Sequence, residues 1–105
     1  MSELRKPTLL NKAATAGVDL PVTVQAVEMP DEMRAHAIQA AMAIVPVTVS
    51  LRSRAIYIRQ QMDEKFGGQW HCFVGRDFGS SVTHENDRFI KAIVGDCCVL
   101  LFKAP

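Results

Sequence analysis

Apolar residues recur along this chain with two different periods, and the switch between them divides it into segments. The β-branched run Pro21-Val22-Thr23-Val24-Gln25-Ala26-Val27 predicts a short first strand. Met33, Ala37, Ala41 and Ile44 then fall on one helical stripe, with Ile38 and Val45 beside it. This helix should open at Met29-Pro30, with Asp31 and Glu32 suiting its positive end. Pro46 should stop it near Val45, because proline disfavours helical geometry in the residue before it. Ser50 is a good N-cap for a second helix, in which Leu51, Ala55, Ile58, Met62 and Phe66 repeat at helical spacing. Arg52, Arg59, Asp63 and Glu64 occupy its other side, and Gly67-Gly68 supply the stop. Beyond this point the pattern becomes that of strands: Trp70 to Val74, Phe78 to His84, Arg88 to Val94 and Cys97 to Lys103. Gly75-Arg76-Asp77, Asp87 and Gly95-Asp96 mark the turns between them. The expected class is α+β: an N-terminal strand, two helices, then a four-strand antiparallel sheet. The last strand, Cys97 to Phe102, is apolar on both faces and must be covered on both. Two helices can cover one face. A second copy of the same sheet is the simplest cover for the other, so a symmetric homodimer is expected.

Composition narrows the functional classes. A chain of 105 residues fits one domain. Residues 1–19 are polar and aperiodic and read as a flexible N-terminal extension, leaving 20–105 as the folded domain. A formal net charge of +1 does not suggest a nucleic-acid or membrane-surface partner. No apolar signal-peptide core follows Arg5, Lys6 and Lys12. The apolar stretch Ala37 to Val47 is too short to span a bilayer. The three cysteines are an odd number, and Cys97 and Cys98 should point to opposite faces, so a reduced, cytosolic chain is expected.

His71, Cys72, His84 and Glu85 are the candidates for nucleophilic or metal chemistry. His71 and Cys72 are neighbours on a strand and face opposite ways. No paired zinc spacing, HExxH or phosphate loop is present, so neither a metal nor another cofactor is expected. The segment Phe78-Gly79-Ser80-Ser81-Val82-Thr83-His84 is unusually polar for a central strand. It suits a sheet edge, either simply solvated or open to an extended peptide by β-augmentation.

Specific strings then point to a family. Trp70-His71-Cys72, Val74-Gly75-Arg76, Phe78-Gly79-Ser80, Val82-Thr83-His84-Glu85, Phe89-Ile90 and Leu100-Leu101-Phe102-Lys103 resemble the small, hub-type dynein light chains. The likeness runs from about Val22 to Lys103, and Glu32-Met33, Ile58 and Lys65 agree with it. It implies a non-catalytic homodimer in which the strand Phe78–His84 crosses to the partner's sheet. Two grooves would then bind extended segments, often with a Thr-Gln-Thr core, from dynein intermediate chains and other partners. By position the groove comprises Arg52, Arg76, Asp77, Phe78, Gly79, Ser80, Ser81, Val82, Thr83, His84 and Phe89. His71, Ser80, Val82, Thr83 and His84 would form the dimer interface. The implied location is the cytoplasm, on the microtubule cytoskeleton or axoneme.

The chain also departs from the family pattern. Ser81 replaces a usual tyrosine, and Lys91 and Ile93 replace usual aromatics. Leu51 stands where an acidic residue is common. Ser50 replaces an apolar residue, Gln25 a lysine, and Ala104 a near-terminal serine. A less aromatic groove with an altered partner set is expected. The alternatives are a structural motor subunit with a degenerate groove, and a hydrolase using Cys72 and His84.

Overall fold

The computed structural model describes residues 20–76 and 87–105. Strand β1 (Val22–Glu28) leads into helix α1 (Asp31–Ile44). Pro30 is extended (φ −60°, ψ 154°) and caps α1 from outside, so the helix starts one residue beyond the expected Met29-Pro30 opening. The Pro30 carbonyl accepts the Arg34 N–H at 2.9 Å, and the missing proline N–H costs the helix nothing at this position. At the other end the Val45 N–H donates to the Ala41 carbonyl at 2.9 Å; Val45 keeps helical geometry (φ −58°, ψ −41°), so Pro46 stops the helix through its missing N–H rather than by displacing the residue before it.

Helix α2 (Leu51–Phe66) begins as its sequence demands. The Ser50 hydroxyl accepts the Ser53 N–H at 3.0 Å, satisfying one of the orphan donors of the first turn. Gly67 ends it with φ +85°, a backbone region that a side chain would strain.

Strands β2 (Trp70–Gly75), β3 (Phe89–Val94) and β4 (Cys97–Lys103) complete one antiparallel sheet of order β1-β3-β4-β2. Among the described residues β2 therefore bonds only β4 and has one open edge. The strand expected at Phe78–His84 and the extension at 1–19 lie outside the described residues.

Both helices pack on one face of the sheet. Ile58 and Met62 of α2, and Met33, Ala37 and Ala41 of α1, meet Trp70, Ile90, Ala92, Val94, Cys97, Val99 and Leu101. The alanines of α1 allow close approach to α2 and the sheet. The helical stripe holds in the middle of α2 and fails at its start. Leu51 is 38% exposed, in a first turn that follows an exposed loop. Phe66 is half-buried and meets the His36 ring edge-on, with centroids 5.5 Å apart.

The expectation for β4 holds: Cys97 to Phe102 are all buried. Cys97, Val99 and Leu101 join the helix-side core, and Cys98, Leu100 and Phe102 alternate onto the far face. They are buried within the single chain. What one chain leaves uncovered on that face lies at its two sides: Thr23, Ala26 and Glu28 of β1, and His71 and Phe73 of β2.

Candidate functional site: the far face of the sheet and its open edge

Strand register places the far-face side chains in three rows. Glu28, Phe89, Phe102 and His71 are aligned across β1, β3, β4 and β2. Ala26, Lys91, Leu100 and Phe73 form the next row, and Thr23, Ile93, Cys98 and Gly75 the third. Extra length in β1 between Val24 and Ala26 shifts the register there, a bulge that helps blunt the outer edge of the sheet.

The β2 end of this face is aromatic and open. His71 is exposed and stacks on Phe102, with ring centroids 5.4 Å apart. Phe73 stacks on the same Phe102 at 6.3 Å yet stays 54% exposed, the most exposed large hydrophobic among the described residues. His71 and Phe73 thus share the exposed β2 side of the far face. Sequence reasoning did not single out Phe73. Its alternation with His71, two positions apart on one strand, was the signal that places it outside. Lys91 and Ile93, the two departures from family aromatics, share this face.

Of the expected groove residues, Arg52, Arg76 and Phe89 are described; Asp77, Phe78, Gly79, Ser80, Ser81, Val82, Thr83 and His84 are not. Arg52 is exposed on the first turn of α2, on the helical side of the sheet. Phe89 is half-buried on the far face, in register with Phe102. The sheet separates the two within one chain. Arg76 follows β2 directly and pairs with Asp96 in the β3–β4 turn at 3.5 Å, both side chains largely exposed.

Asp96 belongs to a longer chain of contacts. It accepts the Cys97 thiol at 3.6 Å, and the Arg54 guanidinium reaches that thiol at 3.5 Å. Arg54 also donates to the Val47 carbonyl at 3.0 Å. This ties the α1–α2 loop, the first turns of α2 and the β3–β4 turn together. Burial raises the Cys97 thiol pKa most, Asp96 adds to that, and Arg54 opposes it.

The nucleophile candidate fails on chemistry. Cys72 faces α2, opposite His71, and burial pushes its thiol up to about 12, against a small pull from Arg59. A thiol that resists ionisation so strongly is a poor nucleophile. Its expected partner His84 lies outside the described residues. Cys72 itself is half-buried rather than fully in the core. Among the described residues no three His, Cys, Asp or Glu side chains converge as metal ligands. No described helix is long and apolar enough to cross a membrane.

Comparison with known proteins follows the same outline. Over 80 residues the chain is 39% identical to the cytoplasmic dynein light chain of Emericella nidulans, covering 76% of this chain and 85% of that one. In structure it resembles the dynein light chain-like domain of the Fasciola hepatica calcium binding protein FhCaBP2. That match has a TM-score of 0.74 at 19% identity and covers 84% of this chain and 95% of that one. The dynein light chain-like domain of CsTAL3 matches with a TM-score of 0.67 at 18% identity, over 81% of this chain and 96% of that domain. Both share the two helices and antiparallel sheet at identities that speak for the fold alone. Residues 21–104 match the profile of the family described as dynein light chain type 1, and the chain belongs to that family of motor and cytoskeletal light chains.

Proposed function

We propose that this chain is a non-catalytic subunit of dynein motors and a dimerisation hub. It pairs with a second copy and holds extended segments of partner proteins in two symmetric grooves. The observation that carries this reading is the edge of β2 that no other described strand pairs, flanked by the exposed His71–Phe73 aromatic face. An open edge beside an apolar patch is what a strand from another chain needs: unpaired backbone groups to bond and apolar area to bury. In this reading the partner's Phe78–His84 strand fills that edge. A peptide then pairs with the outer side of that strand, against α2. Arg52 and Phe89 lie on opposite sides of the sheet in one chain, so bringing both to one groove calls for such an exchange.

Backbone groups of the crossing strand supply most of the peptide's hydrogen bonds. Thr83 and His84 help select its side chains, and Phe78 and Phe89 form apolar walls. Ser80, Val82, Thr83 and His84 join His71 at the dimer contact, with Gly79, Ser81 and Asp77 completing the groove floor. Arg76, held by Asp96, fixes where the strand leaves the sheet. The expected partners are dynein intermediate chains and other Thr-Gln-Thr-type segments, in the cytoplasm on microtubule structures. Residues 20–105 form the light chain domain and 1–19 an appended extension.

One groove binding one peptide at roughly micromolar affinity corresponds to about −8 kcal/mol. Two linked peptides meeting two grooves gain roughly a hundredfold by effective concentration. The test is calorimetric titration with a Thr-Gln-Thr peptide. Saturable heat with one site per chain supports the reading, and no heat at high concentration removes it. A second reading, a structural subunit with an unused groove, is favoured by Lys91 and Ile93 on the far face, where they reduce its aromatic character. A dimer that binds no peptide would select that reading.

A further inference from the structure

We propose that the extension at residues 1–19 lays its Leu9-Leu10 pair over an apolar cleft between α1 and β1 of its own chain. Among the described residues, two helices cover one face of four strands unevenly. Helix α2 lies against β2 and α1 against β3, which leaves β1, at the other side of the sheet, without a helix of its own. On this helix side Val22 and Val27 still pack against the core. Val24 between them does not. It is the register partner of the buried Ala92, so it shares the helix side, yet it is 36% exposed. Above Ala92, Ala37, Ile38 and Ala41 of α1 leave an apolar recess that is half open to solvent.

The size of the recess selects the kind of occupant. Its free volume is about 10 Å³, room for the tip of one side chain and too little for a separate ligand. Every side chain lining it is apolar, so nothing there holds a water in place. A tethered apolar segment fits both facts. One leucine tip enters the recess, and its neighbour covers Val24 and Ile38.

The course of the chain brings such a segment to this place. The Pro21 carbonyl accepts the Gly95 N–H at 2.9 Å, and Leu20 packs against the helix-side core with Val45 and Gly95 beside it. The extension therefore joins the domain at the end of α1, on the same side of the sheet as the recess. From Val45 back to Ala37 is about two helical turns, roughly 12 Å. Leu10 precedes Leu20 by a tether of up to roughly 33 Å, which leaves slack for a turn at Gly17 and Asp19. Leu9-Leu10 is the largest apolar pair in residues 1–19. So short a tether holds that pair near the cleft at high effective concentration, so a contact too shallow to hold a free peptide suffices.

The cleft lies at the β1 side and the proposed groove at the β2 edge, so a failed peptide titration leaves this docking untouched. Photo-cross-linking tests it on the full chain carrying Val24→p-benzoylphenylalanine, with isotope-light and isotope-heavy copies mixed. Position 24 should cross-link to residues 8–11 of the same copy. Cross-links found only between light and heavy copies overturn the inference and give the cleft to a neighbouring chain. A folded protein with no cross-link to residues 1–19 overturns it as well. Urea unfolding at one protein concentration supplies a second reading. Leu9→Ser with Leu10→Ser should raise the unfolding constant roughly tenfold, the share of one partly buried leucine. Val24→Glu, at an exposed position of an edge strand, keeps the fold and should abolish that difference. Losses that simply add in the combined variant overturn the contact.

Discussion

Truncating Phe73 should separate dimerisation from folding. The side chain is 54% exposed in the single chain. A phenylalanine offers roughly 200 Å² to bury, so about 110 Å² remains available to a partner. At about 25 cal/mol per Å² that is about 2.7 kcal/mol per copy, of which Phe73→Ala forfeits about 2. A twofold dimer contains the residue twice, so the loss doubles to about 4 kcal/mol, roughly a thousandfold in dimer Kd. The fold itself should lose only the stack on Phe102 and the area already covered, about 1 kcal/mol. Sedimentation equilibrium over a dilution series gives the dimer Kd, and urea unfolding at a concentration where both proteins are monomeric gives the fold. An unchanged dimer Kd in a folded Phe73→Ala protein would refute the assignment of this face to the interface. So would an unfolding loss as large as the dimer loss, which would make Phe73 an ordinary core residue.

Three further outcomes follow from local geometry. Ser50→Ala removes the hydroxyl that accepts the Ser53 N–H, and should cost about 1 kcal/mol of stability in urea unfolding; no loss would mean that water replaces the cap fully. His36 has its pKa lowered by burial first, with the Gln61 carbonyl contact at 3.3 Å opposing, Lys65 lowering it and Glu32 raising it. The unfolded chain then takes up this proton more readily than the folded one. His36's contribution should be intact above about pH 6.5 and fall away as pH drops through its lowered folded value. His36→Gln should flatten that part of the stability profile between pH 7.5 and 5.5, and an unchanged slope would reject the assignment. Cys72, with its thiol pushed up to about 12, should resist iodoacetamide at pH 8 in the folded protein and react on unfolding, and rapid native labelling would revive the nucleophile reading.

Local signals in the sequence were enough for most element boundaries. Ser50, Pro46 and Gly67 act within a few residues of where they stand, through a hydroxyl, a missing N–H and a permissive φ. The same was true of Cys97 and Cys98, which alternation alone sends to opposite faces. What periodicity could not supply was the outer limit of the packing. Leu51 falls on the helical stripe, yet it stands 38% exposed after an exposed loop. Arg76 and Asp96 are twenty positions apart by number, and only the register of β2, β4 and the β3–β4 turn brings them within 3.5 Å. Arg54 reads as one more cation on the polar side of a helix, although it links the Val47 carbonyl to Cys97. For the groove, the family strings named the residues, while the physical pattern of Phe78–His84 by itself favoured a simply solvated edge over a peptide-binding one.

The central claim, two chains clamping two extended segments, is tested most directly by native mass spectrometry of the full chain with a Thr-Gln-Thr peptide. The account predicts a species of two chains and two peptides, with the dimer persisting when peptide is withdrawn. A single chain at every concentration, with or without bound peptide, would contradict it.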